Sequence, residues 1–129
     1  MQFGDNDTLS ALVASLVGAD CLILLSDIDG LYTGNPKTNP DAMLIPVVLE
    51  LTPQIISFAT GESSSDVGTG GMATKLKAAK IAGAAGCDMI IANGEDVGNL
   101  HRIFENKQVG TVFVSHKDEN FDLIDCLRE

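Results

Sequence analysis

The eight residues Gly68-Thr69-Gly70-Gly71-Met72-Ala73-Thr74-Lys75 have the types and spacing best suited to chemistry. Three glycines leave backbone N–H groups unshielded, and a helical pattern follows at once. The N-terminus of a helix carries unpaired N–H donors and about half a positive charge, so a phosphate fits there. Lys75 falls about one turn inside that helix. On a helical wheel it shares a face with Met72, Ala79 and Ala82, whereas Lys77 and Lys80 point away. A lysine on such a face can reach an anion held by the loop. A surface loop followed by an ordinary solvated lysine is the plainer reading. The string is not a Walker A loop, which needs Gly before the Lys and Ser or Thr after it; Thr74 precedes and Leu76 follows.

Two further groups have chemical potential. Asp5-Asn6-Asp7 precedes an apolar pattern at Leu9, Leu12, Val13, Leu16 and Val17, the stripe of an amphipathic helix. Carboxylates at a helix start are ordinary caps. Two flanking an asparagine exceed what a cap needs, and a site and a cap weigh about evenly. Ser26-Asp27 ends the continuous apolar run Cys21-Leu22-Ile23-Leu24-Leu25, the pattern of a strand buried on both faces. In open α/β sheets ligands bind at the carboxyl ends of strands, which gives this pair a positional reason to matter. Asp27-Ile28-Asp29-Gly30 is not a calcium loop, since position 12 of such a loop would be Thr38.

The elements that must position these groups follow in order. Gly18 suits the C-cap of the first helix. Residues 31–40 read as loop from Asn35-Pro36 and Asn39-Pro40, and 44–48 as an edge strand because of Pro46. Thr52-Pro53 opens a short helix to about Ala59. A polar loop covers 60–69. The Met72 helix runs to about Ala85 and stops at Gly86. Residues 88–92 form a second buried strand that leaves through Asn93-Gly94. Val97, Leu100, Ile103 and Phe104 mark another amphipathic helix, and 109–114 a closing strand. Phe121, Leu123, Ile124 and Leu127 in the charged tail suggest a terminal helical turn or a partner contact. This rhythm predicts a doubly wound α/β fold, three-layer αβα, with a mostly parallel sheet. His101 reads as a helix-surface residue and His116 as a loop residue.

At 129 residues the chain makes one domain. It carries a net charge of −10, which argues against nucleic acid or an anionic membrane as partner. Lys75, Lys77 and Lys80 are three of only eight cationic side chains, so positive charge is concentrated near the loop. Cys21, Cys87 and Cys126 are odd in number and widely spaced, which predicts reduced thiols, no metal site and a cytoplasmic location. No signal peptide is visible at the start, and no apolar run approaches the about 20 residues that span a bilayer.

Taken together, four stretches resemble the amino acid kinase family, and within it the members that phosphorylate glutamate. They are Phe3-Gly4-Asp5-Asn6-Asp7, Leu24-Leu25-Ser26-Asp27-Ile28-Asp29-Gly30-Leu31-Tyr32-Thr33, Gly68 to Leu76, and Val109-Gly110-Thr111. The resemblance covers nearly the whole chain in order. It implies transfer of the ATP γ-phosphoryl group to the glutamate side-chain carboxylate, giving an acyl phosphate on the route to proline. By the family pattern Lys75 stabilises the transferring phosphoryl group, Asp7 orients that lysine with Asp5 in support, and Asn6 touches glutamate. Ser26, Asp27, Thr69, Gly70, Gly71, Met72, Ala73, Thr74 and Lys75 hold the nucleotide, and Mg²⁺ rides on its phosphates.

Such kinases carry roughly another half domain before the Gly-Asp-Asn-Asp turn. The resemblance therefore implies that 1–114 is the C-terminal, nucleotide-binding half and 115–129 a charged tail. It implies no turnover by this chain alone, and self-association through a face normally covered. Ser26 and Ala73 vary mildly from Thr and Ser at those positions. A non-catalytic nucleotide-binding remnant, or a family member acting on another acid, remain alternatives.

Overall fold

The computed structural model describes residues 6–60 and 71–117. Asp5, Thr69 and Gly70, the polar loop and the tail beyond 117 lie outside the described residues. In chain order the elements are α1 (Asn6–Val17), β1 (Cys21–Ser26), β2 (Val47–Val48), α2 (Pro53–Thr60), α3 (Gly71–Ala84), β3 (Asp88–Asn93), α4 (Gly98–Phe104) and β4 (Thr111–Phe113). The sheet order is β1-β3-β4-β2. β1 runs parallel to β3, with Cys21 opposite Asp88 and Ser26 opposite Asn93; β2 runs parallel to β4; β3 and β4 are antiparallel.

Helix length sets these directions. α1 and α3, with 12 and 14 residues, reach about 18 and 21 Å at 1.5 Å per residue. Strands of six residues reach about 20 Å. Each helix therefore runs back along the full length of the strand that follows it. α4 has only seven residues, about 10 Å. It cannot carry the chain back, so β4 starts from the edge where β3 ends and runs the other way.

Glycines close the helix–strand turns. Gly18 has φ 71° and Gly86 φ 87°, the left-handed conformation of a helix C-cap. Beside Gly86, the Cys87 amide donates to the Ala82 carbonyl at 2.8 Å. Thr52 caps α2 as the sequence predicts, its hydroxyl accepting from the Ile55 amide at 3.2 Å.

The core lies between one face of the sheet and the layer of α1 and α3. Leu24, Met89, Ile91, Phe113 and Val48 meet Ala11, Leu12 and Ala14 of α1 and Leu76, Ala78, Ala79, Ile81 and Ala82 of α3. The expected stripe of α1 is corrected here. Only Leu12 of it is buried, while Val13, Leu16 and Val17 are 50%, 70% and 69% exposed. The inward face is Thr8, Ala11, Leu12 and Ala14 instead. Alanines on both helices let α1 and α3 lie close together, and that approach turns the larger side chains outward.

Three other expectations need correcting. β1 is not buried on both faces: Leu24 is buried, but Cys21 and Leu25 are exposed, because β1 is the edge strand. α4 buries none of its residues, and Val97 and Phe104 face outward. The closing strand is shorter than predicted, as is β2, where Leu44 makes only an isolated bridge to Tyr32. His101 on α4 is exposed, 3.3 Å from Glu105 at the helix C-cap.

Candidate active site

Topology gathers the candidate residues at one edge. β1 and β3 end together at Ser26 and Asn93, and α1 and α3, running back along them, begin at that same edge with Asn6-Asp7 and Gly71. Two helix N-termini thus converge beside the carboxyl ends of two parallel strands.

The best-defined contact there joins α1 to α3. Lys75 Nζ lies 3.1 Å from Asp7 Oδ2, with the lysine side chain 15% and the aspartate 24% exposed. The lysine side chain is largely withdrawn from solvent, and its ammonium faces the α1 carboxylate. Thr74 Oγ1 lies 3.0 Å from the same Oδ2. Ala79 and Ala82, on the lysine's side of α3, are buried, while Lys77 and Lys80 are exposed, as the wheel predicts. Gly71 has φ 22° at the helix start. The amides of Gly71, Met72 and Ala73 have no carbonyl four residues back within α3, and first-turn amides of this kind can receive an anion. Met72 packs against the core, and Ala73 and Thr74 are half-buried.

At the tip of β1, Ser26 Oγ donates to Asp27 Oδ1 at 3.3 Å, and the Asp27 side chain is exposed. The Ser26 carbonyl accepts from the Gly94 amide at 2.7 Å, tying this tip to the end of β3. Asn6 opens α1 and is exposed.

A second polar group beside this tip was not picked out from the sequence. Asp29 accepts from Asn93 Nδ2 at 3.0 Å and from the Tyr32 hydroxyl at 3.1 Å. Burial, and then the Asp29 carboxylate, push the Tyr32 phenol above its ordinary value. Asn93 Oδ1 accepts the Glu95 amide at 2.8 Å, and its carbonyl accepts Asn99 Nδ2 at 2.9 Å. Asp29, Asn93, Asn99, Arg102, Gln108 and Gly110 line a cavity of about 250 Å³. Arg102 is held by Asp96 at 3.0 Å and Asn99 at 2.6 Å, and with the Gly98 amide it keeps the Asp96 carboxyl below the usual range. Below the cavity Thr111 is fully buried: its hydroxyl accepts from the Leu31 amide at 2.9 Å and donates to the Ile45 carbonyl at 2.6 Å. Asn93-Gly94 had read only as a turn and Asp29 as part of a rejected calcium loop. Their signal was position, at strand ends that pair.

Comparison with known proteins agrees with this architecture. The model of the amino acid kinase family matches residues 1–93. The chain is 52% identical over 119 residues to a glutamate 5-kinase of Clostridium perfringens, covering 92% of this chain and 44% of that protein. It is 54% identical over 121 residues to one of Carboxydothermus hydrogenoformans, covering 94% and 32%. The chain thus spans less than half the length of these relatives. Among solved structures, an isopentenyl phosphate kinase superposes with TM-score 0.60 at 26% identity, over 85% of this chain and 37% of that one. A uridylate kinase from Archaeoglobus fulgidus superposes with TM-score 0.65 at 24% identity, over 85% and 47%, a likeness of fold. The converging helix N-termini, the loop lysine and these matches have one conclusion: the chain belongs to the amino acid kinase family.

Proposed function

We propose that residues 1–114 are the nucleotide-binding half of a kinase that transfers the ATP γ-phosphoryl group to the side-chain carboxylate of glutamate, with 115–129 a charged tail. The observation that carries the reading is the Lys75–Asp7 pair at the meeting of two helix N-termini. The identity of about 50% to glutamate 5-kinases supports the choice of acid.

Phosphoryl transfer between two anions asks for alignment and for neutralisation of developing charge. The amides of Gly71, Met72 and Ala73, with Thr69, Gly70 and Thr74, receive the phosphates. Ser26 and Asp27 hold the nucleotide at the strand tip. Lys75 meets charge on the transferring group, Asp7 fixes the lysine's direction with Asp5 in support, and Asn6 binds the glutamate. These donors fit a triphosphate; Mg²⁺ carried on it supplies further positive charge when bound. The product is an acyl phosphate, the first intermediate toward proline. A nucleotide-binding remnant without chemistry would need the glycine loop but not Asp5, Asn6 and Asp7. We further propose a cytoplasmic protein whose outward α1 face and β1 edge self-associate, and which has no glutamate turnover as the isolated 129-residue chain.

The test is a chimera in which residues 6–117 replace the aligned segment of the Clostridium perfringens enzyme. With ATP, glutamate and hydroxylamine it should yield glutamyl hydroxamate, and Lys75→Ala should lower the rate by about a thousandfold, in line with loss of a charge-stabilising group. A folded chimera that makes no hydroxamate, or one indifferent to Lys75, would refute the reading.

A further inference from the structure

Thr74 has one hydroxyl hydrogen and two acceptors in reach. Asp7 Oδ2 and the Gly71 carbonyl oxygen both lie 3.0 Å from its Oγ1. A hydroxyl donates once. The Gly71 carbonyl sits in the first turn of α3, where the backbone amide of Lys75, four residues on, is its regular donor. Asp7 is a carboxylate about three-quarters buried, and a hydrogen bond to an ionised acceptor is roughly twice as strong as one between neutral groups. The hydrogen therefore goes to Asp7.

We propose that Thr74 is a positioning residue: its hydroxyl, held by Asp7, fixes the carboxylate that aims Lys75, and is not a donor to the bound nucleotide. The inference rests on Lys75 being the cation that faces the phosphoryl group. Asp7 Oδ2 then receives Thr74 Oγ1 at 3.0 Å and Lys75 Nζ at 3.1 Å. The two donors come from consecutive residues of one helix and meet one oxygen, so any turn of the carboxylate short of exchanging its two equivalent oxygens loses both. A lysine ammonium alone sits on a flexible four-carbon stem and would not fix its partner. The short threonine, rooted in the helix, supplies the rigid half of the contact. The phosphates are then left to the first-turn amides of Gly71, Met72 and Ala73, while the Thr74 hydroxyl works from behind.

The shape of the side chain and its hydrogen bond can be separated. Valine keeps the threonine's shape and loses the bond; serine keeps the bond and loses a methyl group. The readout is hydrogen exchange of the Lys75 side-chain ammonium with water, followed by NMR in the ligand-free chain for Thr74, Thr74→Val, Thr74→Ala and Thr74→Ser. Exchange should be about tenfold faster in the valine and alanine variants, as expected for a lost charge-assisted bond, and within about twofold of the parent in the serine variant. Unchanged exchange in both the valine and alanine variants, or equal acceleration in the serine variant, would overturn the assignment. ATP-dependent stabilisation of the parent reports separately on the kinase reading. If the exchange pattern holds while ATP does not stabilise, the contact stands and the nucleotide reading falls.

Discussion

Asp7 Oδ2 receives a lysine and a threonine that lie 68 and 67 residues away in sequence. The lysine's candidacy is legible in the chain, because three glycines precede it and small residues share its face. The threonine's is not, since nothing local says which carboxylate will sit opposite. The same holds for Asp29 and Asn93, 64 residues apart: a side-chain pair made by strand register has no period to detect. Gly110 belongs at this scale too. It has φ 64°, and a Cβ there would collide with the Ile91 carbonyl and come within 3.0 Å of that of Asp29. Backbone atoms cannot step aside as a flexible side chain can. Gly110→Ala is expected to lower stability by about 2 kcal/mol or more in urea denaturation, where strain at a left-handed position alone costs of order 1–3 kcal/mol; a change below about 0.5 kcal/mol would show the contact to be slack.

The elements themselves were largely readable. Caps at Gly18, Thr52 and Gly86 and the Asn93-Gly94 turn are local signals, and they fixed most boundaries to within a residue or two. Orientation was less readable. Leu9, Val13, Leu16 and Val17 outscore alanines on any hydropathy count, yet α1 buries its alanines, because a close helix pair gains more from backbone approach than from bulk. The antiparallel step to β4 was missed for a related reason, since it follows from the length of α4 and not from any strand pattern. Two substitutions should separate the two faces of the α1–α3 layer. Ala78 is 0% exposed, and Ala78→Leu would overpack the interface at a cost of about 1–3 kcal/mol. Val13→Ser, on the outer face, should move stability by no more than about 0.5 kcal/mol. Thermal or chemical denaturation that ranked them the other way would return the stripe to the core.

At the scale of the whole molecule, the outer face of α1 and the edge of β1, unpaired among the described residues, form one surface of low charge. Residues 8–26 hold a single charge, Asp20, in a chain of net charge −10. Leu9, Val13, Ala14, Ala19, Cys21 and Leu22 line a groove there of about 420 Å³. A second copy of so acidic a chain meets least repulsion through this face, and an unpaired strand edge is a template for pairing. Sedimentation of the 129-residue chain should show concentration-dependent association, weakened about tenfold or more by Leu16→Glu with Val17→Lys, the expected effect of placing charges in an apolar contact; a parent monomeric at every concentration would contradict this. The carboxyl edge of the sheet is a different surface, and the functional account stands on it. The most direct measurement there is ATP binding by the chain and by its Lys75→Ala variant, followed as ligand-dependent melting temperature. The account predicts that ATP raises the parent's melting temperature in a saturable way, and that losing the ammonium weakens binding by about tenfold or more, the equivalent of one charge-assisted hydrogen bond. No shift with ATP, or the same shift in both proteins, would contradict it.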